Sequence, residues 1–232
     1  EITIIDQYKT HYYQPGFIFI PFGYYKEADV KKPKSNFIPI GVNQLYSEVD
    51  KIDGENNKVL LKDGEVLKYD ILIIATGTRI APEETPGLKG ELWHKQIFDF
   101  YTIEGAKALA SFFKTWEGGE LVINIADMPI KCPVAPLEFA FFADAFFLER
   151  GMRDKVNITY VTPLSGAFTK PRASKMLGSL LNEKNINLVT DYFLGEVDNE
   201  KKVIQDFGGK EIPFDCLVST PIHTGDPLIE RS

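Results

Sequence analysis

The stretch Leu121-Val-Ile-Asn-Ile-Ala-Asp-Met-Pro-Ile-Lys-Cys-Pro-Val-Ala-Pro136 decides the fold, and it continues directly into Leu137-Glu-Phe-Ala-Phe-Phe-Ala-Asp-Ala-Phe-Phe-Leu-Glu-Arg150. An apolar run, a proline-punctuated loop and a long apolar helical pattern are typical of the strand–loop–helix opening of a Rossmann-like unit. The loop of such a unit ordinarily holds a dinucleotide phosphate, and glycines let the backbone approach it. Between Ile125 and Leu137 there is no glycine, which argues against a phosphate site here.

A cysteine, Cys132, stands in this loop in place of the missing glycines, and Lys131 is its immediate neighbour. Cationic neighbours and the amino ends of helices favour the thiolate form of a cysteine, which is the reactive form. The alternative interpretation is a small buried hydrophobe near the start of a helix. Because the glycines are missing, we favour a reactive thiolate at Cys132.

Composition restricts the class of protein. The chain has 232 residues, 44% of them hydrophobic, which suits one large globular domain or two small ones. A net charge of −7 argues against a nucleic-acid partner. No apolar run approaches the roughly 20 residues that span a bilayer, and the amino terminus does not resemble a signal peptide, so we expect a soluble or peripherally attached intracellular protein. Cys132 and Cys216 are too far apart for a CxxC or zinc-ligand pattern, and we expect neither a metal site nor a disulfide framework.

The first residues, Glu1-Ile-Thr-Ile-Ile-Asp6, form a short β-branched run that ends in an acid. The second strand of a Rossmann fold ends in this way, and its carboxylate binds the ribose hydroxyls of the cofactor. Residues 58–61 and 65–67 then predict strands of a small antiparallel meander, joined at Asp63-Gly64.

The meander is followed by Tyr69-Asp-Ile-Leu-Ile-Ile-Ala-Thr-Gly77, an apolar run that ends in small residues. We expect a parallel strand that is buried on both faces, with its carboxyl end close to a ligand.

Residues 11–25 are unusually aromatic and are interrupted by prolines and glycines. Such a segment can pack a flat ring or a lipophilic tail, but an aromatic core segment is the more frequent explanation.

Strands and helices alternate in the second half of the chain, which predicts a parallel sheet with right-handed crossovers. The predicted helices are residues 102–116 and 173–183, and the predicted strands are 156–161, 186–189 and 214–220. Cys216 lies inside the last of these strands, and we interpret it as a core residue.

Asp6, the meander and Ala75-Thr76-Gly77 resemble the FAD-binding half of the pyridine nucleotide-disulfide oxidoreductase superfamily. Within that superfamily, the segment Pro129-Ile-Lys-Cys-Pro-Val-Ala-Pro-Leu-Glu-Phe-Ala-Phe142 resembles the sulfide:quinone oxidoreductases, which carry a redox cysteine in this loop. Tyr12-Tyr-Gln-Pro-Gly-Phe17 is similar to an early aromatic segment of the same group. The resemblance covers nearly the whole chain.

This resemblance implies an α/β fold with two Rossmann-like FAD/NAD(P)-binding-type domains, built on parallel sheets with a small antiparallel meander. We expect a partial FAD-binding domain at residues 1–90, a second domain with the redox cysteine at 91–220, and the start of a return to the first domain at 221–232. The G-x-G-x-x-G turn and a carboxyl-terminal part with a second redox cysteine are not in this sequence. We therefore expect an internal piece of a longer enzyme, inactive alone.

The resemblance also implies FAD as cofactor, sulfide and quinone as substrates, and a membrane surface as a partner of the full-length protein, with a possible homo-oligomer. The expected location is cytoplasmic, at the membrane periphery. Cys132 is the expected redox thiol, and His94 is a candidate proton carrier. The expected cofactor-binding residues are Asp6 at the adenosine ribose, Val49, and Thr76 and Gly77 against the FAD.

Two other functions fit the sequence. The first is an NADH-oxidising flavoprotein of the same fold, either a type II NADH:quinone oxidoreductase or an NAD-linked disulfide reductase. Such an enzyme needs a glycine-rich turn after residues 121–126, and the proline-rich loop opposes it. The second is a non-catalytic flavoprotein-like interaction module, which has no need of a cysteine in a former phosphate loop.

Overall fold

A computed structural model describes residues 1–232, and contacts divide the chain into two compact units. The first unit comprises residues 1–13, 28–79 and 224–232, and the second comprises residues 14–27 and 80–223. The functional domain boundaries at residues 90 and 220 remain a prediction.

The strands are β1 Thr3–Ile5, β2 Thr10–Tyr12, β3 Lys31–Pro33, β4 Asn43–Leu45, β5 Val49–Asp53, β6 Lys58–Leu61, β7 Val66–Lys68, β8 Thr78–Ile80, β9 Ile97–Phe98, β10 Gly119–Ile125, β11 Val156–Val161, β12 Ile186–Val189, β13 Leu194–Asp198, β14 Val203–Asp206, β15 Glu211–Pro213, β16 Cys216–Thr220 and β17 His223–Gly225. The α-helices are α1 Glu27–Val30, α2 Ile103–Thr115, α3 Ala135–Glu149, α4 Pro171–Glu183 and α5 Pro227–Arg231. Short 3₁₀ helices cover Gln14–Phe19, Lys34–Phe37, Pro82–Glu84 and Arg153–Lys155.

The first unit contains several small sheets. β1 pairs in parallel with β4, and β5, β6 and β7 form the expected antiparallel meander. One face of the meander is apolar: Ile52, Val59 and Leu61 are buried. Helix α5 covers this meander, where the Ser232 hydroxyl accepts a hydrogen bond from the Ile52 amide at 3.0 Å and Leu228 is buried. The meander predicted from alternation and turn residues is therefore confirmed.

The strand expected at residues 69–77 is not formed, and that prediction was wrong for this chain. Residues 70–77 have irregular backbone, and Ile71 and Ile73 are each 84% exposed. A strand forms only where a neighbouring strand accepts and donates its backbone hydrogen bonds. No strand pairs with residues 70–77 in the structure, so their apolar pattern has no sheet to join.

The second unit is built on a five-stranded parallel sheet in the order β12-β11-β10-β16-β9. Leu121 of β10 lies opposite Ile158 of β11 on one side and Cys216 of β16 on the other. Strands 156–161 and 186–189 form as predicted, and helix α2 begins within one residue of its predicted start. The expected strand–helix alternation with parallel pairing is confirmed.

The two faces of this sheet bury different cores because successive side chains of a strand point to opposite faces. Leu121, Ile123 and Ile125 pack into a core that includes residues of α2 and α3. Val122 packs into a second core with residues of the antiparallel strands β13–β15, such as Ile204. The sheet is thus covered on both faces, as its continuous apolar strands require.

The middle of the aromatic segment of residues 11–25 packs on the helix side of the sheet. Phe22 is 6% exposed, and its ring lies 5.0 Å from Phe139 and 5.5 Å from Phe146, both on α3. Ile18 belongs to the same core. Tyr13 and Tyr24 are exposed, so the explanation as a core segment is confirmed for the middle of the segment and not for its ends.

A buried ion cluster joins α3 to the chain beyond it. Asp144 is 5% exposed and accepts hydrogen bonds from Arg153 Nε at 2.7 Å and from Lys184 Nζ at 2.8 Å. Arg153 also donates to the carbonyl oxygens of Val156, Lys184 and Asn185. Burial raises the pKa of Asp144, but hydrogen bonds from Lys184 and Arg153 outweigh it and hold the pKa below its usual value.

None of the helices combines the length and the apolar character that crossing a bilayer would require.

Candidate functional site

Cys132 lies in the loop between β10 and α3, at the carboxyl edge of the parallel sheet. Helix α3 begins at Ala135 with Val134 as its N-cap residue, so Cys132 lies just before the amino end of the helix. The Cys132 carbonyl oxygen accepts hydrogen bonds from the Ala135 amide at 3.2 Å and from the Tyr101 hydroxyl at 3.3 Å. Two donors therefore hold the backbone of the cysteine.

The Cys132 side chain is partly buried against the helix-side core. Its neighbour Lys131 is exposed, and the Lys131 ammonium donates a hydrogen bond to Gln14 Oε1. An effect of Lys131 on the thiol therefore stays a prediction. Glu138, one turn into α3, is exposed.

Tyr101 lies next to the loop that carries Cys132 and contacts several polar groups. Burial raises the pKa of Tyr101, and the nearby Cys132 raises it further. The Tyr101 ring meets the His223 ring edge to face, with their centroids 4.8 Å apart. Tyr101 is therefore a neutral phenol between the cysteine loop and His223.

Three buried polar atoms near Tyr101 have no hydrogen-bond partner: Tyr160 Oη, Thr220 Oγ1 and His223 Nε2. Tyr160 and Thr220 are each 0% exposed. The Thr220 hydroxyl faces the Tyr101 phenol closely enough to lower its pKa, although no hydrogen bond of ordinary geometry joins the two groups. Unpaired buried hydroxyls are rare in native proteins and call for an explanation.

His223 follows β16, whose carboxyl end lies beside that of β10. Burial lowers the pKa of His223, the carbonyl oxygen of Pro221 at 3.0 Å from Nδ1 opposes this shift, and the positive charge of Lys131 lowers the pKa further. The imidazole is thus neutral at pH 7. The sequence analysis assigned no role to His223. Its position just after a buried strand that ends in Thr220 is a signal for the carboxyl edge of the sheet, where ligands of such folds bind.

His94, the candidate proton carrier, lies just before β9. Its ring stacks on Trp93 at 4.8 Å, and its Nε2 is 3.3 Å from Asp99 Oδ2. Asp99 is fully buried and accepts hydrogen bonds from the Thr102 amide and hydroxyl at the start of α2. The contacts of His94 are thus with Trp93 and Asp99.

Cys216 has the opposite environment to Cys132. It is 0% exposed within β16 and belongs to the helix-side core. Burial raises its pKa well above the usual value, and Asp215 adds to this effect. The interpretation of Cys216 as a core residue is confirmed.

The predicted cofactor residues lie in the first unit. Asp6 follows β1, and its carboxylate accepts hydrogen bonds from the Tyr8 amide at 2.8 Å and from the Lys34 ammonium. An ionised carboxylate has about four acceptor positions, so Asp6 keeps capacity for ribose hydroxyls. Val49 begins β5.

Thr76 and Gly77 are exposed and lie in irregular backbone instead of at a strand end. Gly77 has a positive φ of 75°, and a Cβ built on it would meet nothing within 4 Å. The structure does not bring Thr76 and Gly77 to the end of a buried strand. The assignment of Asp6 to a ribose stays a prediction.

No family model matches the chain. The chain is 26% identical over 236 residues to the mitochondrial sulfide:quinone oxidoreductase of Dictyostelium discoideum, an alignment that covers 100% of this chain and 52% of that protein. The solved sulfide:quinone oxidoreductase of Aquifex aeolicus superposes with a TM-score of 0.85 at 20% identity, covering 100% of this chain and 55% of that one. NDH2 of Plasmodium falciparum, in complex with NADH, gives a TM-score of 0.73 at 15% identity, with 100% and 52% covered.

These similarities confirm the resemblance to the sulfide:quinone oxidoreductases and the expected fold of Rossmann-like FAD/NAD(P)-binding-type domains. The chain spans about half the length of the curated relatives it matches.

Proposed function

We propose that this chain is part of a sulfide:quinone oxidoreductase, a flavoprotein that oxidises sulfide through a redox cysteine and FAD and passes the electrons to a quinone. One observation carries the proposal: the loop that holds a phosphate in NADH-binding relatives of the fold has no glycine here and presents Cys132. The similarity of the whole of this chain to about half of a sulfide:quinone oxidoreductase supports it independently.

Cys132 is the proposed redox thiol. Its carbonyl oxygen is held by Ala135 and Tyr101, which limits the directions in which the sulfur can point. The residue as a whole is partly exposed in this loop. Hydrosulfide can attack a disulfide between Cys132 and a second cysteine, so that a sulfur–sulfur bond to one cysteine forms while the disulfide breaks and the other cysteine leaves as a thiolate. FAD, when bound, supplies the two-electron acceptor for this chemistry and the route to the quinone.

The proposed cofactor residues are Asp6 at the adenosine ribose, with Val49, Thr76 and Gly77 as further contacts. The free acceptor positions of Asp6 support the first assignment. For Thr76 and Gly77, the open space around Gly77 is compatible with a ligand lying against the backbone. His94 remains a proposed proton carrier, and its Nε2 lies 3.3 Å from Asp99 Oδ2, within reach of a proton transfer partner.

The proposal extends to partners. Sulfide and a quinone are the proposed substrates. Because a quinone is lipophilic, we expect the full-length protein to lie at the cytoplasmic side of a membrane surface. We also propose that it forms homo-oligomers, which a mass measurement in solution tests.

The second candidate function is an NADH-linked flavoprotein reductase. The similarity in fold to NDH2 in complex with NADH favours it. The absence of glycine from the loop after β10 opposes it, because a pyrophosphate would have no close backbone approach there.

The donor that bleaches the flavin distinguishes these functions. The full-length protein with FAD bound is mixed anaerobically with sulfide or with NADH, and the flavin absorbance is followed. We expect sulfide to bleach the flavin and NADH to leave it oxidised. Bleaching by NADH alone would establish the second candidate, and bleaching by neither donor would favour a non-catalytic module.

A further inference from the structure

The buried hydroxyls beside Cys132 are the most unusual polar feature of the second unit. Tyr160 lies on β11 and Thr220 ends β16, the two strands that flank β10. Tyr160 packs into the helix-side core, against which Cys132 also lies. By strand alternation, Thr220 points to the same face as Cys216 and Val218, which belong to that core.

Tyr101 connects the two hydroxyls with the cysteine. Its hydroxyl donates to the Cys132 carbonyl oxygen, and the Tyr101 phenol interacts electrostatically with Cys132, Thr220 and Tyr160. Burial raises the pKa of Tyr160 as well, so all three hydroxyl groups remain protonated at neutral pH. Protonated hydroxyls can donate hydrogen bonds to an anion.

The Tyr160 and Thr220 hydroxyls, which lack a hydrogen-bond partner, lower the stability of the folded protein. A buried hydroxyl without a partner loses its hydrogen bonds to water and gains nothing in return. Tyr192, which packs into the core on the opposite face of the sheet, has a paired hydroxyl. It is 1% exposed, and its hydroxyl donates to the carbonyl oxygens of Ile204 and Lys210 at 2.8 and 3.0 Å. Tyr192 is thus an ordinary paired core tyrosine. Burial raises the pKa of Tyr160 and the nearby Thr162 side chain lowers it, but no hydrogen bond of ordinary geometry joins the Tyr160 and Thr162 hydroxyls.

We propose that Tyr160 and Thr220, with Tyr101, form a hydrogen-bonding site for the hydrosulfide anion beside Cys132. This inference rests on the proposed function, because it places the sulfide substrate next to the redox thiol. Hydrosulfide is a small monovalent anion and accepts hydrogen bonds from hydroxyl groups. The neutral His223, whose Nε2 also lacks a partner, accepts a proton if hydrogen sulfide enters in place of the anion.

Binding is measured without turnover. The full-length flavoprotein carrying Cys132→Ser is titrated with sodium sulfide in an anaerobic calorimeter, alone and with Tyr160→Phe or Thr220→Val added. Each added substitution removes one hydroxyl and little volume. We expect each to weaken sulfide binding about tenfold, since a hydrogen bond to a charged group is lost.

Thermal unfolding separates this role from a structural one. Tyr160→Phe should leave the melting temperature unchanged or raise it, because the hydroxyl that it removes has no partner. The matched control Tyr192→Phe should lower the melting temperature and leave sulfide binding unchanged, because its hydroxyl is paired on the opposite face.

Sulfide binding that is unaffected by Tyr160→Phe and Thr220→Val would overturn the inference. A loss of binding that is equally large in Tyr192→Phe would also overturn it, since the effect would then come from the general state of the fold. The proposed function is tested separately, by flavin reduction in protein with Cys132 intact, so failure of one is distinguishable from failure of the other.

Discussion

At the scale of single residues, the two cysteines differ in accessibility and environment. Cys132 lies in a loop and is partly accessible, whereas Cys216 is fully buried in a central strand and burial raises its pKa. Alkylation requires an accessible thiolate. We expect iodoacetamide at neutral pH to label Cys132 in the folded protein and Cys216 only after unfolding, as read by peptide mass spectrometry. Labelling of both at the same rate in the folded protein would contradict these environments.

The sequence predicted the position of Cys132 because the residues that surround it along the chain, an apolar strand and a glycine-free loop, are local signals. It could not predict the neighbours of Cys132. Tyr101, Tyr160 and Thr220 come from three separate parts of the chain, and only the order of the parallel strands brings them to one edge. The lack of a hydrogen-bond partner, which singles out Tyr160 and Thr220, is a property of packing alone.

At the scale of elements, the ion cluster of Asp144 connects α3 with the segments around Arg153 and Lys184. Removing one partner of a buried ion pair leaves the other charge uncompensated, which typically costs about 3–5 kcal/mol. We expect Asp144→Asn to lower the free energy of unfolding by up to this amount in urea titrations. The control is Asp154→Asn, at an exposed acid two residues before Val156, which should change stability by less than about 0.5 kcal/mol. Equal stability of the two variants would contradict the assigned role of the cluster.

The same cluster should make stability depend on pH. The pKa of Asp144 is lower in the folded protein than its usual value near 3.8, so its stabilising contribution is nearly complete above about pH 5. As pH falls through the folded pKa, Asp144 takes up a proton and the contribution is lost. We expect the acid-induced loss of stability to be smaller in Asp144→Asn than in the wild type, measured as unfolding free energy between pH 6 and about pH 3. Parallel pH profiles for the two proteins would contradict the shift.

Residues 69–77 show that an apolar pattern alone is insufficient to predict a strand. Residues 69–77 have the composition of a buried strand, yet residues 70–77 pair with no strand in this chain. Strand formation depends on a partner as well as on propensity. We expect the amides of Ile71 and Ile73 to exchange with solvent rapidly, and those of Val122 and Ile123 in β10 slowly, in hydrogen-exchange experiments on this chain. Slow exchange at Ile71 and Ile73 would show that the segment is paired.

At the scale of the whole molecule, the second unit was largely predictable and the first was less so. The strands of the second unit are buried on both faces, follow one another with helices between them, and pair with strands present in the sequence. In the first unit, β1 has a single parallel neighbour, β4, and residues 70–77 after the meander have no neighbouring strand. Local patterns therefore predicted elements well where their partners lie in the same chain.

We propose that Cys132 is the thiol through which sulfide reduces the flavin. Anaerobic stopped-flow reduction of the full-length flavoprotein by sulfide tests this role, with the wild type compared with Cys132→Ser and with the core variant Cys216→Ala. We expect Cys132→Ser to retain its FAD and to lose sulfide-dependent flavin reduction, and Cys216→Ala to be reduced at close to the wild-type rate. Flavin reduction by sulfide at the wild-type rate in Cys132→Ser would show that another group passes the electrons.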